Sequence, residues 1–372
     1  MTNPQVIQDM SAAGTSVWLD DLSRQRITSG NLVELINSKG IVGVTTNPAI
    51  FAAAMSDGDS YADQIAELAA AGTKVDDAVF EMAIRDVQDA CDAFADIYKE
   101  TDGVDGRVSL EVDPRLALNH DATVVQAKDL ATRVGRENLM VKIPATVAGL
   151  SAITDVLAAG VSVNVTLIFS VERYEQVMDA FIAGIRQARD NGHDLSKIHS
   201  VASFFVSRVD SEIDAQLSSS NSSDASALQG KAGVANARLA YAAFEKKLVN
   251  NPEWQELAES GGRIQRPLWA STSVKNPEYP DTMYVTELVG PHTVNTMPEA
   301  TLDATIDHGE VKGNTLTETA AAAHEVFDQL ADKGIDLPQV WATLEDEGVQ
   351  KFVVAWEELL ATLQEQLDAQ VK

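Results

Sequence analysis

The sequence predicts an α/β protein folded as a closed (β/α)8 barrel, the TIM-barrel architecture, with additional helices that include a C-terminal helix packed on the barrel. Three observations carry this reading. Short β-branched runs alternate with helical stretches along the 372 residues, the pattern of parallel strands joined by crossover helices. None of these runs leads into the Gly-x-Gly-x-x-Gly turn of a doubly wound dinucleotide fold. The alternation is not interrupted by a linker long enough to separate one domain from another, so residues 1–372 are read as one barrel domain.

The first strand is expected at 16–20, followed by a helical stretch over 21–38 that Gly40 closes. The second, 41–47, runs into Pro48, which suits a turn or a first helical position. Helices over 59–71 and 76–99 precede the third strand, 107–113, and a helix over 121–135 precedes the fourth, 138–146. A helix over 148–159 leads to the fifth strand, 161–169. Tyr174, Val177, Met178, Phe181, Ile182 and Ile185 then recur at helical spacing, with Ser170 as N-cap and Gly192 past the end. The sixth strand is expected at 198–206, an exposed serine-rich loop at 218–223 and a helix over 231–249. Residues 266–273 read as the seventh strand, and 282–289, ended by Gly290-Pro291, as the eighth. Thr315 and Glu318 have the spacing of a capping box for a helix running to Lys333 and stopped by Gly334. A last helix gathers Phe352, Trp356, Leu359, Leu360, Leu363 and Leu367 on one face, and its expected role is packing.

Composition removes several classes of function. Net charge is −28, which opposes binding to nucleic acid or to anionic membranes, since both need positive charge. No apolar stretch approaches the roughly 20 residues that span a bilayer, and Met1-Thr-Asn-Pro-Gln lacks a secretory signal, so a cytoplasmic location is expected. Cys91 is the only cysteine and falls on an apolar helical face, reading as an inert core thiol. The six histidines contain no i, i+4 pair, so no metal site is expected.

The segment Asn138-Leu-Met-Val-Lys142-Ile-Pro-Ala-Thr146 sets one lysine inside an apolar strand. Lysine is almost never buried without a reason. Desolvation favours the neutral amine that Schiff-base chemistry on a ketone needs, while ionised Asp20 and Glu111 nearby favour the ammonium, an opposition the sequence leaves open. A salt-bridge partner, or a lysine snorkelling from a strand end, is the plainer reading of Lys142 taken alone. In a barrel of this kind the chemistry lies at the C-terminal ends of the strands. Polar residues collect there: Asp20 and Asp21, Thr45 and Asn47, Glu111 and Asp113, Asn164 and Thr166, Ser203 and Arg208, Ser273 and Lys275. Lys142 with two carboxylates suits an imine-forming lyase or transferase. Arg208 and Lys275 with Ser203 and Ser273 suit a phosphate, although Arg208 has a surface pairing with Asp210 or Glu212 as its rival.

Six segments in order, Trp18-Leu-Asp20, Gly43-Val-Thr-Thr-Asn-Pro48, Ser109-Leu-Glu-Val-Asp-Pro-Arg115, Met140-Val-Lys-Ile-Pro-Ala-Thr146, Asn164-Val-Thr-Leu-Ile-Phe-Ser170 and Ser203-Phe-Phe-Val-Ser-Arg208, make the chain resemble the longer bacterial transaldolases, which are class I Schiff-base aldolases. The resemblance implies transfer of a dihydroxyacetone unit from sedoheptulose 7-phosphate or fructose 6-phosphate to glyceraldehyde 3-phosphate or erythrose 4-phosphate. It implies a place in the pentose phosphate pathway and no metal or organic cofactor. By position, Lys142 looks like the Schiff-base lysine and Glu111 like the acid/base that works through a water. Asp20 looks like the carboxylate that takes the C4 hydroxyl proton as C3–C4 breaks. Thr45, Asn47, Asn164 and Thr166 would hold hydroxyls and the water, Ser203 and Phe205 would line the pocket, and Arg208, Ser273 and Lys275 would bind phosphate.

Departures mark the transfer. Short members carry Ser-x-Arg where this chain has Ser273-Val-Lys275, leaving Ser271 as an alternative contact, and Ser207 stands where glycine is common. Asp21 takes the place of Asp20 if the register slips by one, and the region after 290 matches short members poorly. Fructose-6-phosphate aldolase relatives carry Gln at the Glu111 position and Tyr at the Phe205 position, so this chain sides with transfer over release of free dihydroxyacetone. A non-catalytic sugar-phosphate-binding barrel has no need of a desolvated amine.

Overall fold

In the computed structural model, which describes residues 3–56, 58–219 and 225–370, the short β-branched runs become eight parallel strands. They are β1 (Thr15–Leu19), β2 (Gly43–Val44), β3 (Arg107–Glu111), β4 (Leu139–Pro144), β5 (Val163–Ile168), β6 (Ser200–Phe205), β7 (Arg266–Ala270) and β8 (Thr293–Met297). They close in chain order, β1 pairing with β8 from Thr15↔Thr293 to Leu19↔Met297. Every residue of β3 to β8 is buried, as expected of strands covered on one side by helices and filling the barrel on the other. The β2 ladder is short, but Val42 and Thr45 extend it by donating to the carbonyls of Val17 and Leu19.

The eighth strand lies elsewhere than its expected place. Residues 282–289 hold the short helix Met283–Thr286, with Tyr284, Val285, Leu288 and Val289 packed in the core. The strand follows Gly290-Pro291 instead of preceding it. Thr293-Val-Asn-Thr-Met297 is too polar to read as a buried strand, yet its hydroxyls find partners inside the barrel. Thr293 Oγ1 lies 2.8 Å from Thr15 Oγ1, and Thr296 Oγ1 lies 2.6 Å from Thr45 Oγ1. The capping box at 315–318 does not form either. Thr315 hydrogen-bonds Val289 instead, Glu318 adopts φ 63°, and the helix begins at Ala320 with Thr319 as its cap.

Among the helices, the expected 21–38 stretch is broken at Gly30 into Arg24–Thr28 and Asn31–Lys39. Ser170 caps Val171–Asp190 by accepting from the Arg173 amide, and the expected 76–99 helix divides into Val75–Ala93 and Ala95–Glu100. Cys91 is buried, and burial pushes its thiol up. Of the expected serine-rich loop at 218–223, Ser218 and Ser219 instead end the helix Ser207–Ser219, and 220–223 lie outside the described residues. At the base of the barrel Asp105 accepts from Trp18 Nε1 at 2.9 Å and Arg266 Nη2 at 3.1 Å, closing the end opposite the polar strand termini. Leu337–Gln370 forms one long helix that packs on Pro48–Ser56, Ala62–Ala70, Val75–Ala93 and Ser207–Ser219 and reaches β5. Its path therefore crosses the C-terminal ends of the strands. Among the described residues no helix is long and apolar enough to cross a membrane.

Candidate active site

Parallel strands in register present their paired residues to the same face. Glu111 of β3 pairs with Lys142 of β4, which pairs with Asn164 of β5, so three polar side chains stand abreast inside the barrel. Lys142 is 4% exposed. Its Nζ donates to the Thr46 carbonyl at 3.0 Å and lies 3.5 Å from Glu111 Oε2. Among the described residues neither oxygen of the Glu111 carboxyl accepts a hydrogen bond, and the buried Thr166 hydroxyl is likewise unpartnered. Burial pushes the Glu111 carboxyl up to about 7; Lys142 opposes the shift and Asp20 adds to it. Desolvation at this site thus falls on the acid, which can give or take a proton near neutral pH.

Asp20 stands just past β1 and accepts from Thr45 Oγ1 at 2.7 Å. Burial raises its carboxyl, with Lys142 and the Thr45 hydrogen bond pulling the other way and Asp21 adding to the rise. Asp21 turns aside to Arg26, whose Nε and Nη2 it accepts at 2.8 and 2.5 Å. Asn164 is held at both ends of its amide, donating to Ser109 Oγ at 3.0 Å and accepting from Ser203 Oγ at 2.7 Å. Asn47 Oδ1 accepts from the Ile50 amide at 3.0 Å, fixing the start of Pro48–Ser56.

A cavity of about 180 Å³ opens above Lys142, lined by Asp20, Thr45, Asn47, Ser203 and Phe205 on its inner side. Arg208, Ser271, Ser273 and Lys275 form its outer rim. Glu111 and Asn164, level with Lys142, and Thr166, two residues nearer the strand ends, lie outside this lining. Arg208 sits in the first turn of Ser207–Ser219 with its guanidinium 5.1 Å from the Phe205 ring centre and its Nη1 buried and unpartnered. Burial lowers the pKa of Arg208, opposed by Glu347 of the C-terminal helix. Neither rival pairing occurs among the described residues: Asp210 accepts from the Tyr284 hydroxyl and the Gly233 amide, and Glu212 accepts from Gln216 Nε2. Ser271 adopts φ 56° at the end of β7, with its hydroxyl 2.8 Å from that of Ser207, and Lys275 Nζ donates to Ser273 Oγ at 2.6 Å. A non-glycine residue with positive φ is uncommon and strained. Here it turns the chain so that Ser271 and Ser273 both face the cavity. A further cavity of about 500 Å³ adjoins across Asp20, Asn47 and Pro298.

The region after 290 contributes to this lining, including its last helix, for which packing alone was expected. Thr296 of β8 and Phe352 of Leu337–Gln370 both face the cavity, and Nζ of Lys142 lies 5.7 Å from the Phe352 ring centre. The polar run Thr293-Val-Asn-Thr-Met297 carries no local signal for the first. The apolar periodicity around Phe352 gives no sign of a site. Among the described residues no three His, Cys, Asp or Glu side chains converge as metal ligands.

The Transaldolase/Fructose-6-phosphate aldolase family matches residues 17–363. A transaldolase of Mycolicibacterium smegmatis is 61% identical over 363 residues, covering 98% of this chain and 98% of its own length. A transaldolase of Mycobacterium tuberculosis strain H37Rv is 59% identical over 359 residues, 96% of each chain. One from Kocuria rhizophila is 59% identical over 369 residues, 99% of this chain and all of its own.

Proposed function

The chain belongs to the transaldolase/fructose-6-phosphate aldolase family and its activity is that of a transaldolase, and from that premise we propose that Lys142 forms a Schiff base with a ketose phosphate while Glu111 and Asp20 move the protons. The observation that carries the proposal is the buried Lys142 nitrogen 3.5 Å from a carboxyl that burial holds near neutral pH.

The neutral amine attacks C2 of the ketose, and water leaves as the iminium forms. Glu111, with both oxygens unpartnered, is suited to relay the protons of this dehydration through a water. The carboxylate of Asp20 takes the C4 hydroxyl proton; the C3–C4 bond breaks, its electron pair goes to C3, and an aldose phosphate departs. The Lys142-bound enamine then attacks the acceptor aldehyde through C3, Asp20 returns the proton to the new hydroxyl, and water releases the product ketose. Thr45 holds Asp20 in place through its hydrogen bond, and Thr296 holds Thr45. Asn47, Asn164 and Thr166 are assigned to substrate hydroxyls and the water, Ser203 and Phe205 to the pocket wall. Arg208, Ser273 and Lys275 are assigned to the phosphate, with Ser271 beside them. These cations supply a local positive charge that the −28 of the whole chain lacks. The whole chain is taken as one working domain in the cytoplasm, acting on sugar phosphates of the pentose phosphate pathway.

Incubation with fructose 6-phosphate and borohydride, followed by mass mapping, tests the reading. A dihydroxyacetone-derived adduct on Lys142 supports it; transfer activity without an adduct rejects the imine.

A further inference from the structure

We propose that Phe352, on the helix Leu337–Gln370, is the wall that keeps water from the Lys142-bound enamine and so makes the site transfer its three-carbon unit instead of releasing it. The inference rests on the Schiff-base reading of Lys142 and goes beyond it. It assigns a role in the outcome of the reaction to a residue outside the barrel strands.

The helix is held tightly over the strand ends. A Cβ built on Gly348 would meet the Phe169 ring at 3.1 Å and Leu167 at 3.2 Å, so any larger residue there would push these side chains back by a few tenths of an ångström. Leu167 reaches that contact from a left-handed conformation, φ 60°, where the β5–β6 register shifts between Val165 and Ile168. Such irregularities recur beside active sites, where they re-aim side chains. One turn further along the helix, Phe352 is 4% exposed and stands over Lys142 while lining the cavity. Phe169 packs on Phe205 with ring centres 5.2 Å apart, so the helix and β6 together give the cavity aromatic walls.

An enamine on Lys142 has two fates. Its C3 can attack an acceptor aldehyde, which is transfer. Alternatively C3 takes a proton from water to give the dihydroxyacetone iminium, water adds at C2, the Lys142 nitrogen leaves, and free dihydroxyacetone departs. The water consumed at C2 balances the one lost when the imine formed, so this leak needs no other reactant. An apolar ring over the lysine suppresses the second fate by denying C3 the water that would protonate it, while the hydrolysis at C2, which transfer also needs to release its product, is left to the water that Glu111 handles. With the ring truncated, the enlarged cavity admits water molecules, each needing about 30 Å³.

Phe352→Leu and Phe352→Ala are compared with the wild type, using fructose 6-phosphate with and without erythrose 4-phosphate. Free dihydroxyacetone and transfer product are both measured. The ratio of release to transfer should rise about tenfold in Phe352→Ala and by less in Phe352→Leu, while borohydride still traps an adduct on Lys142. A purely structural role would lower both products together and leave their ratio alone. An unchanged ratio with the adduct present overturns the proposal. If Phe352→Ala does not fold, the leucine variant carries the same decision. Absence of the adduct in wild type would instead sink the underlying imine reading, and this inference with it.

Discussion

Alanine at position 142 removes both the proposed nucleophile and the only group that lowers the Glu111 pKa, since burial and Asp20 both raise it. The size of that effect follows from the geometry. Opposite charges 3.5 Å apart across an effective dielectric of about 20 attract by about 5 kcal/mol, equivalent to at most about 3.5 pH units. In the wild type, Glu111 titrates at about 7 when folded, against an ordinary value of 4.5. Between those values the native state binds more protons than the unfolded chain. The favourable contribution is therefore complete below 4.5, declines as pH rises, and levels off past 7. In Lys142→Ala the folded pKa lies higher still, so the decline continues into the alkaline range. The hydrogen bond lost to the Thr46 carbonyl contributes at either pH. The stability gap between wild type and variant should then be about 2–3 kcal/mol wider at pH 9 than at pH 6. Urea denaturation of both proteins at the two pH values measures it. A gap that does not change with pH would refute the coupling of Lys142 to Glu111, and appreciable residual transfer would refute the role of the amine.

Asp20→Asn should lower kcat by about 10²–10⁴-fold as a loss of acid/base catalysis, whereas Asp21→Asn, whose carboxylate turns to Arg26, should stay near wild type. Steady-state kinetics of the pair decide which carboxylate works. Arg208→Ala should raise KM for phosphorylated substrates about 10- to 100-fold, the worth of a charge-assisted hydrogen bond. The exposed Lys275 should cost only a few-fold on replacement by alanine, and equal effects would overturn that ranking of the rim. Asp86→Ala leaves Arg24, 8% exposed, without its fully buried partner. It should cost about 3–5 kcal/mol of stability with kcat unchanged, read by denaturation and activity on the same preparation.

The sequence alone determined the barrel, seven of its strands and the company Lys142 keeps, because burial on both faces writes a local apolar pattern and a lone lysine stands out against it. Once the strands are parallel and in register, Glu111, Lys142 and Asn164 fall abreast without further information. The eighth strand was hidden because Thr293 and Thr296 satisfy their hydroxyls across the barrel, with Thr15 and Thr45, contacts that no local periodicity records. The choice between Asp20 and Asp21 was equally open, since a strand end carries no alternation beyond itself to fix which side chain faces in. Tertiary structure alone decided that the C-terminal helix crosses the mouth of the barrel and sets Phe352 over the lysine. An apolar helical stripe has the same sequence pattern whether it faces other helices or a buried amine, and only the folded path of the chain distinguishes them.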